Sequence, residues 1–371
     1  MDEEIRRLGR RNETESLNLS MKSQLSQFVL LLLSFCLMTS TTLAQRGDTV
    51  YRANASGNGS TKVSGKVVNT TPTGIVVESK GSTATIPAAE IRSVVYGGQS
   101  SLIARTAERI KSGSYAQGIE EVAKIDAKGN PWVEHELAFL KAYAESNLAL
   151  KGSFDALAAR KSLNDFLTKY KKSYHFVPAT ALKGRLLYSL KFLDLAAKEF
   201  KLLTQSGWPE YVVKGNYYLA QTAIAQQNFD AAIAGCDQII ASTGNDDITR
   251  QYQLLAKCAK AKAQCLSGNP GSAESDLKQI IKSENPDNQE LFATAYNALG
   301  VYHFQAKQLK EAREKFLLTH LLMYPHSESH AEALYYLTKI WPQLGNTDEA
   351  NKTRELLKSR YRNSYWAKIL E

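Results

Sequence analysis

Three hydrophobic regimes follow one another along this chain. Phe28–Met38 (FVLLLLSFCLM) is an almost unbroken apolar run. Between Lys62 and Tyr96 apolar and polar residues alternate in short runs, the period of half-buried strands. Lys62–Asn69 (KVSGKVVN) alternates and Thr71-Pro72-Thr73-Gly74 turns. Ile75–Ser79 (IVVES) is β-branched, Lys80-Gly81-Ser82 turns again, and Thr83–Pro87 (TATIP) alternates. Ala88–Ile91 reads as one helical turn before a last strand, Arg92–Tyr96, which Gly97-Gly98 ends. Gln45–Thr61 is polar and rich in Gly, Asn and Ser, and reads as a flexible linker. Within it Asp48–Ala53 (DTVYRA) offers a further strand, so the β unit spans 62–98, or starts at 48.

From Ser101 to Glu371 the pattern becomes helical, and it repeats. Small residues recur in one context: Gly118, Ala159, Ala196, Ala232, Ala273, Ala312 and Ala350, at successive spacings of 41, 37, 36, 41, 39 and 38. A turn and a longer apolar helix precede each, and a second amphipathic helix follows. One such hairpin cannot bury its apolar face alone, so neighbours must stack into a continuous core.

The clearest unit, Ala295–Pro325 (AYNALGVYHFQAKQLKEAREKFLLTHLLMYP), resembles the tetratricopeptide repeat family. Leu299-Gly300 matches the Leu-Gly pair of the first helix, Ala312 the small residue of the second, Phe316 the aromatic after it, and Pro325 the terminating proline. Phe200 repeats the aromatic after Ala196, and Gly184 repeats the glycine. Other units depart from the pattern, with Lys183 where leucine is usual and Gln264 where an aromatic is usual. The expected fold is mainly α: an α-solenoid of six to seven hairpins over 101–371, preceded by a small β-barrel-like unit. Five short strands with a turn before the last give that unit a likeness to SH3-like or Sm-like barrels.

In this family the first helices line a concave groove. By resemblance the groove positions here are Tyr217, Gln221 and Ile224, then Asn297, Val301 and Phe304, then Tyr335 and Lys339. Aromatic and amide side chains there suit an extended peptide. The last stretch also resembles the repeats of periplasmic cell-envelope proteins: Tyr324-Pro325-His326-Ser327 matches their Tyr-Pro-x-Ser, while Tyr361-Arg362-Asn363-Ser364 lacks the proline.

The apolar run at Phe28–Met38 is too short for a membrane span, which needs about 20 residues. Thr42-Leu43-Ala44 follows as a small-x-small cleavage pattern, so residues 1–44 read as a secretory signal cleaved after Ala44. Met21-Lys22 makes an ordinary signal start, which sets Met1–Ser20 aside as a misassigned leader. Phe35 before Cys36 argues against a lipoprotein signal, and an uncleaved anchor is the alternative to cleavage. The expected location is exported, in the periplasm or cell envelope.

Composition narrows the chemistry. In 371 residues, 46 Lys and Arg against 37 Asp and Glu leave a charge of +9, which favours anionic partners. Phosphate-loop, dinucleotide, Gly-x-Ser-x-Gly and His-Glu-x-x-His motifs are all missing from the sequence. His320, His326 and His330 offer the nearest thing to a metal set, but a turn with surface histidines is the expectation, and His303 reads as a packed histidine. Carboxylate pairs such as Glu120-Glu121 and Asp246-Asp247 are sequence neighbours that point apart. Cys258 and Cys265 lie about 10 Å apart on one helix and cannot bridge each other. Cys236 pairs with one of them, or all three are buried small hydrophobes. The reading is a non-enzymatic exported scaffold that binds a protein or peptide partner in the envelope, with no cofactor, metal or nucleic acid. Two others stand beside it: a structural envelope protein held on anionic polymer or lipid through its basic surface, and an enzyme framed by the repeats.

Overall fold

A computed structural model describes residues 47–54, 59–244 and 246–370. The expected signal peptide over 1–44 and the expected start at Met21 lie outside the described residues.

Strands β1 (Asp48–Ala53), β2 (Ser60–Thr71), β3 (Gly74–Ser79), β4 (Ser82–Pro87) and β5 (Ile91–Val95) form one antiparallel sheet in the order β4-β3-β2-β1-β5. A single 3-10 turn, Ala88–Glu90, links β4 to β5. Residues 48–53 and 60–61, within the stretch read as linker, are thus strand. β2 is long enough to serve two partners. Its first half pairs with β1, its second half with β3, and the register slips at Val68. At the crossing sits Gly65, where a Cβ would lie 2.2 Å from the Glu78 carbonyl oxygen, so only glycine fits. The Asp48 carboxylate accepts from the Val67 and Gly97 amides at 2.7 and 2.6 Å and pins the sheet's start to its end.

Among the described residues fifteen helices follow: α1 (Ser101–Lys111), α2 (Tyr115–Val122), α3 (Pro131–Leu150), α4 (Ala156–Lys169), α5 (Phe176–Ser189), α6 (Leu193–Thr204), α7 (Pro209–Ala225), α8 (Phe229–Ile240), α9 (Asp247–Leu266), α10 (Ala273–Ser283), α11 (Gln289–Gln305), α12 (Leu309–Leu322), α13 (Ser327–Gln343), α14 (Thr347–Arg360) and the short α15 (Tyr365–Lys368). The first fourteen pair as seven hairpins. Each first helix also packs on the next first helix, from α3 through α5, α7, α9 and α11 to α13, which makes the stack a solenoid. Among the described residues no helix is long and apolar enough to cross a membrane.

Local chemistry sets the helix ends. Asn130, Asp155, Asn228, Asp246 and Asn288 accept backbone N–H groups of the first turn that have no partner inside the helix. Every hairpin turn has a residue with positive φ just after its first helix: Gly113, Gly152, Lys191, Gln227, Gly268, Lys307 and Gly345. Four are glycines and three carry side chains in a conformation that L-residues rarely hold.

The small residues of the repeat sit on the second helices and are buried: Gly118, Ala159, Ala196, Ala232, Ala273, Ala312 and Ala350. Gly184 and Gly300 face the rings of Phe200 and Phe316, and a Cβ would stand 2.5 and 2.6 Å from ring carbon. The missing side chain therefore lets each first helix rest on an aromatic of its own hairpin. Pro325 is exposed in the turn between α12 and α13. The sheet has no core of its own. Val50, Val67, Ile75, Val77 and Ile86 belong to one buried cluster with Ile103, Ile110, Val133, Leu137 and Trp208 of the helices. Trp208 Nε1 donates to the Pro72 carbonyl at 3.0 Å, and the Thr70 hydroxyl to the Lys172 carbonyl at 2.9 Å.

Candidate functional site

The expected groove positions divide into two groups. Tyr217 and Gln221 of α7 line a central cavity with Tyr188, Tyr218, Lys262, Glu290, Glu328 and Trp366. Gln221 Nε2 donates to the Tyr217 hydroxyl at 2.7 Å, and burial raises the Tyr217 pKa well above the usual phenol range. Ile224, Asn297 and Val301 pack instead of facing the cleft. Val301 is 0% exposed, and Asn297 donates to the Ser329 carbonyl at 2.8 Å and to Glu332 Oε2 at 3.3 Å, tying α11 to α13. Phe304 lies half-buried against Tyr336 at 5.5 Å. Tyr335 is covered by the Trp366 ring at 5.2 Å, and the exposed Lys339 lies over it at 4.5 Å. Helical periodicity fixes which residues share a face. It does not say which face a neighbouring repeat covers.

What covers this face is the end of the chain. After α14 the backbone turns at Tyr361 and runs back across the stack. Asn363 Nδ2 donates to the Ala149 and Phe154 carbonyls at 2.9 and 2.8 Å, beside the turn between α3 and α4. At that turn Gly152 approaches Arg360 so closely that a Cβ would lie 2.2 Å from the Arg360 carbonyl oxygen. Ser364 caps α15 by accepting from the Ala367 amide. The Tyr365 hydroxyl donates to the Ala225 carbonyl at 3.3 Å, and its ring lies 5.2 Å from that of Tyr188. Trp366, 8% exposed, sits against Tyr335 and Tyr336 with the Lys262 ammonium 4.9 Å from its ring. These tail residues had only the half-matched Tyr361-Arg362-Asn363-Ser364 motif to mark them, followed by the aromatic pair Tyr365-Trp366.

The charges in the cleft are mostly partnered. Lys262 pairs with Glu332, both nearly buried. His326 bonds the Ser329 hydroxyl at 2.9 Å and lies 3.5 Å from Glu290, whose carboxyl it holds below the usual range. Glu328 and Arg185 are the exceptions: among the described residues neither makes an ion pair or hydrogen bond, Glu328 acts on Arg185 through its charge alone, and the Arg185 Nε is buried without an acceptor. Both line the same apolar cavity as Tyr365 and Trp366.

His320 and His330 bond each other, and His330, expected at the surface, is buried between α12 and the tail. His330 bonds His320 at 2.7 Å and the Tyr361 hydroxyl at 2.6 Å. Burial, with His320 and Arg360 nearby, pushes His330 down to about 3. Among the described residues no three His, Cys, Asp or Glu side chains converge as metal ligands. His303 is buried and bonds Gln308 at 2.6 Å. Cys236, Cys258 and Cys265 are free and buried, and burial pushes the first two thiols up to about 12. A second cleft of about 520 Å³ lies between the sheet and α1, α3, α5 and α7. In its wall Glu136 accepts from the Tyr174 hydroxyl at 2.7 Å and bonds His175 Nε2 at 2.9 Å.

No protein-family model matches the chain, and no curated protein matches it in sequence. Solved structures do. A tetratricopeptide repeat protein from Parabacteroides merdae is 16% identical, with a TM-score of 0.50 over 72% of this chain and 95% of that one. A Rap protein complexed with the competence and sporulation factor is 12% identical, with a TM-score of 0.52 over 72% of this chain and 77% of that one. At these identities what is shared is the fold: over most of its length the chain is a tetratricopeptide-like helical solenoid.

Proposed function

We propose that this protein is a non-enzymatic scaffold that holds an extended segment of a protein partner on the inner side of its helical stack, in the cell envelope after export. One observation carries the reading. Arg185, Tyr188, Tyr217, Tyr218, Gln221 and Glu290, from three first helices, line two adjoining cavities that share Tyr188, Tyr218 and Gln221 and together make one cleft. Aromatic faces supply contact area at small entropic cost, amides match a peptide backbone, and the two charges fix register. The Rap protein complexed with the competence and sporulation factor is a precedent for binding on this fold. Export is supported by the sequence alone, through Phe28–Met38 and Thr42-Leu43-Ala44. The β unit is read as SH3-like or Sm-like, supported by its five strands and the 3-10 turn before the last of them. Its core is continuous with the helices, so its role here is to brace the first hairpins.

A photo-crosslinking amino acid at Gln221, in the cleft, and at the exposed Lys358 of α14 tests the reading. With envelope extract, protein adducts are expected from position 221 and not from 358. Equal or stronger adducts from 358 would reject the groove.

A further inference from the structure

In the free protein the cleft already holds a ligand. The segment Arg360–Leu370 enters at the α3–α4 turn, where Asn363 bonds two carbonyls, and lays Tyr365 and Trp366 onto aromatic side chains of α5 and α13. Trp366 fills a site built from Tyr335, Tyr336 and the Lys262 ammonium. Such a site, aromatic on two sides with a cation against the ring, selects an aromatic side chain.

The tail is an incomplete match. In the cavity that Tyr365 and Trp366 help to line, Arg185 meets the face of Tyr218, 6.0 Å from its guanidinium, and feels the charge of Glu328 in the same wall, but among the described residues no carboxylate reaches it by a hydrogen bond and its Nε has no acceptor. A guanidinium N–H buried without an acceptor costs free energy that a carboxylate within reach would return, and two parallel N–H···O bonds are the preferred match of an arginine. The tail offers two hydroxyls there and no carboxylate: Ser364 already caps α15, and Tyr365 donates to the Ala225 carbonyl. A ligand with the tail's aromatic and a neighbouring carboxylate would satisfy both features.

We propose that Arg360–Leu370 is an intramolecular occupant of the binding cleft, displaced by a partner segment that carries an aromatic side chain next to a carboxylate. This rests on the groove reading above and adds its regulation and its ligand chemistry. Affinity for the partner is reduced by the fraction of molecules in which the tail is seated.

Fluorescent peptides test it by anisotropy on the full chain. One has the sequence of residues 360–370, RYRNSYWAKIL, one has Asp in place of Ser364, and one has Ala in place of Trp366. The receptors are the intact protein and Tyr365→Ala/Trp366→Ala. The opened protein is expected to bind the tail peptide roughly ten-fold or more tightly than the intact one. The Asp peptide should bind several-fold tighter again, an advantage that Arg185→Gln abolishes, and the Ala peptide should not bind. If the double variant fails to fold, Asn363→Ala loosens the tail from outside the cleft and should show the same order of affinities. Equal binding to intact and opened proteins, with hydrogen-exchange protection inside the cleft, overturns the tail's role and leaves the groove reading standing. Protection confined to the outer helices sinks the groove reading itself. Loss of the Asp advantage without Arg185 involvement rejects the carboxylate.

Discussion

At the scale of single residues, the repeat is specified by places where an atom cannot be added. A Cβ on Gly300 would stand within 3 Å of three carbons of the Phe316 ring. That ring is fully buried and stacked on Tyr336 at 4.7 Å, so it cannot swing aside. Gly300→Ala is expected to lower stability by about 1–3 kcal/mol, the usual cost of overpacking, read from urea midpoints. Phe316→Leu in the same chain should return part of the loss, because the clash is with the ring. The opposite change is expected at Lys307, whose φ is +62°. Lys307→Gly removes strain of about 1–2 kcal/mol, offset in part by glycine's greater freedom when unfolded, for a net gain of ~0.5–1 kcal/mol. These two positions differ in how far the sequence reveals them. Leu299-Gly300 stands out because the contact it serves lies within its own hairpin. Lys307 gives no signal, because the turn takes glycine in some hairpins and tolerates lysine or glutamine in others.

At the scale of elements, two joints matter: the sheet against the first helices, and the tail against α12 and α13. The sheet's buried valines and isoleucines have helical neighbours, so β2 and β3 should lose hydrogen-exchange protection together with α3 and α7, not before them. Trp208→Ala is expected to cost about 3 kcal/mol and to weaken that shared unit as a whole. The tail joint is sensitive to pH. His330, 1% exposed, faces His320 from α12 and Tyr361 from the tail, with Arg360 beside it. Its folded pKa, about 3, lies below the unfolded value near 6.5. The neutral form is therefore held in the folded state. Its contribution is whole above pH ~6.5 and falls steadily as pH drops below that. Between pH 7 and 5 the loss is on the order of 1–2 kcal/mol. The neighbouring His320 is lowered by burial too, and adds in the same direction. His135, pushed down to about 4 by burial, acts likewise at a distant site. His330→Asn should therefore flatten the slope of urea midpoint against pH without abolishing it. Strand and helix periods were readable in the sequence. The His320–His330–Tyr361 chain was not, because it joins residues whose spacing has no helical or strand meaning.

At the scale of the whole molecule, the return of the tail to the α3–α4 turn decides what the inner face offers. Asn363 and Ala149 are 214 positions apart, and no local pattern encodes a contact at that separation. The solenoid itself was legible because a repeat restates its rule seven times, whereas closure is stated once. The same distinction separates the scaffold reading from its competitor, a basic surface held on anionic polymer or lipid. A charge of +9 spread over the chain would bind such a surface by summed long-range attraction, which salt screens within about 10 Å at 0.1 M. A segment seated in the cleft would gain most of its affinity from buried aromatic contact, with Arg185 the one unpaired cation lining it among the described residues. Affinity for the partner is therefore expected to change by no more than a few-fold between 50 and 300 mM salt, measured by titration calorimetry. Retention on anionic vesicles over the same range should fall to background. A partner lost from the cleft in parallel with the vesicles would assign the binding to the basic surface, and the aromatic cleft would then be packing alone.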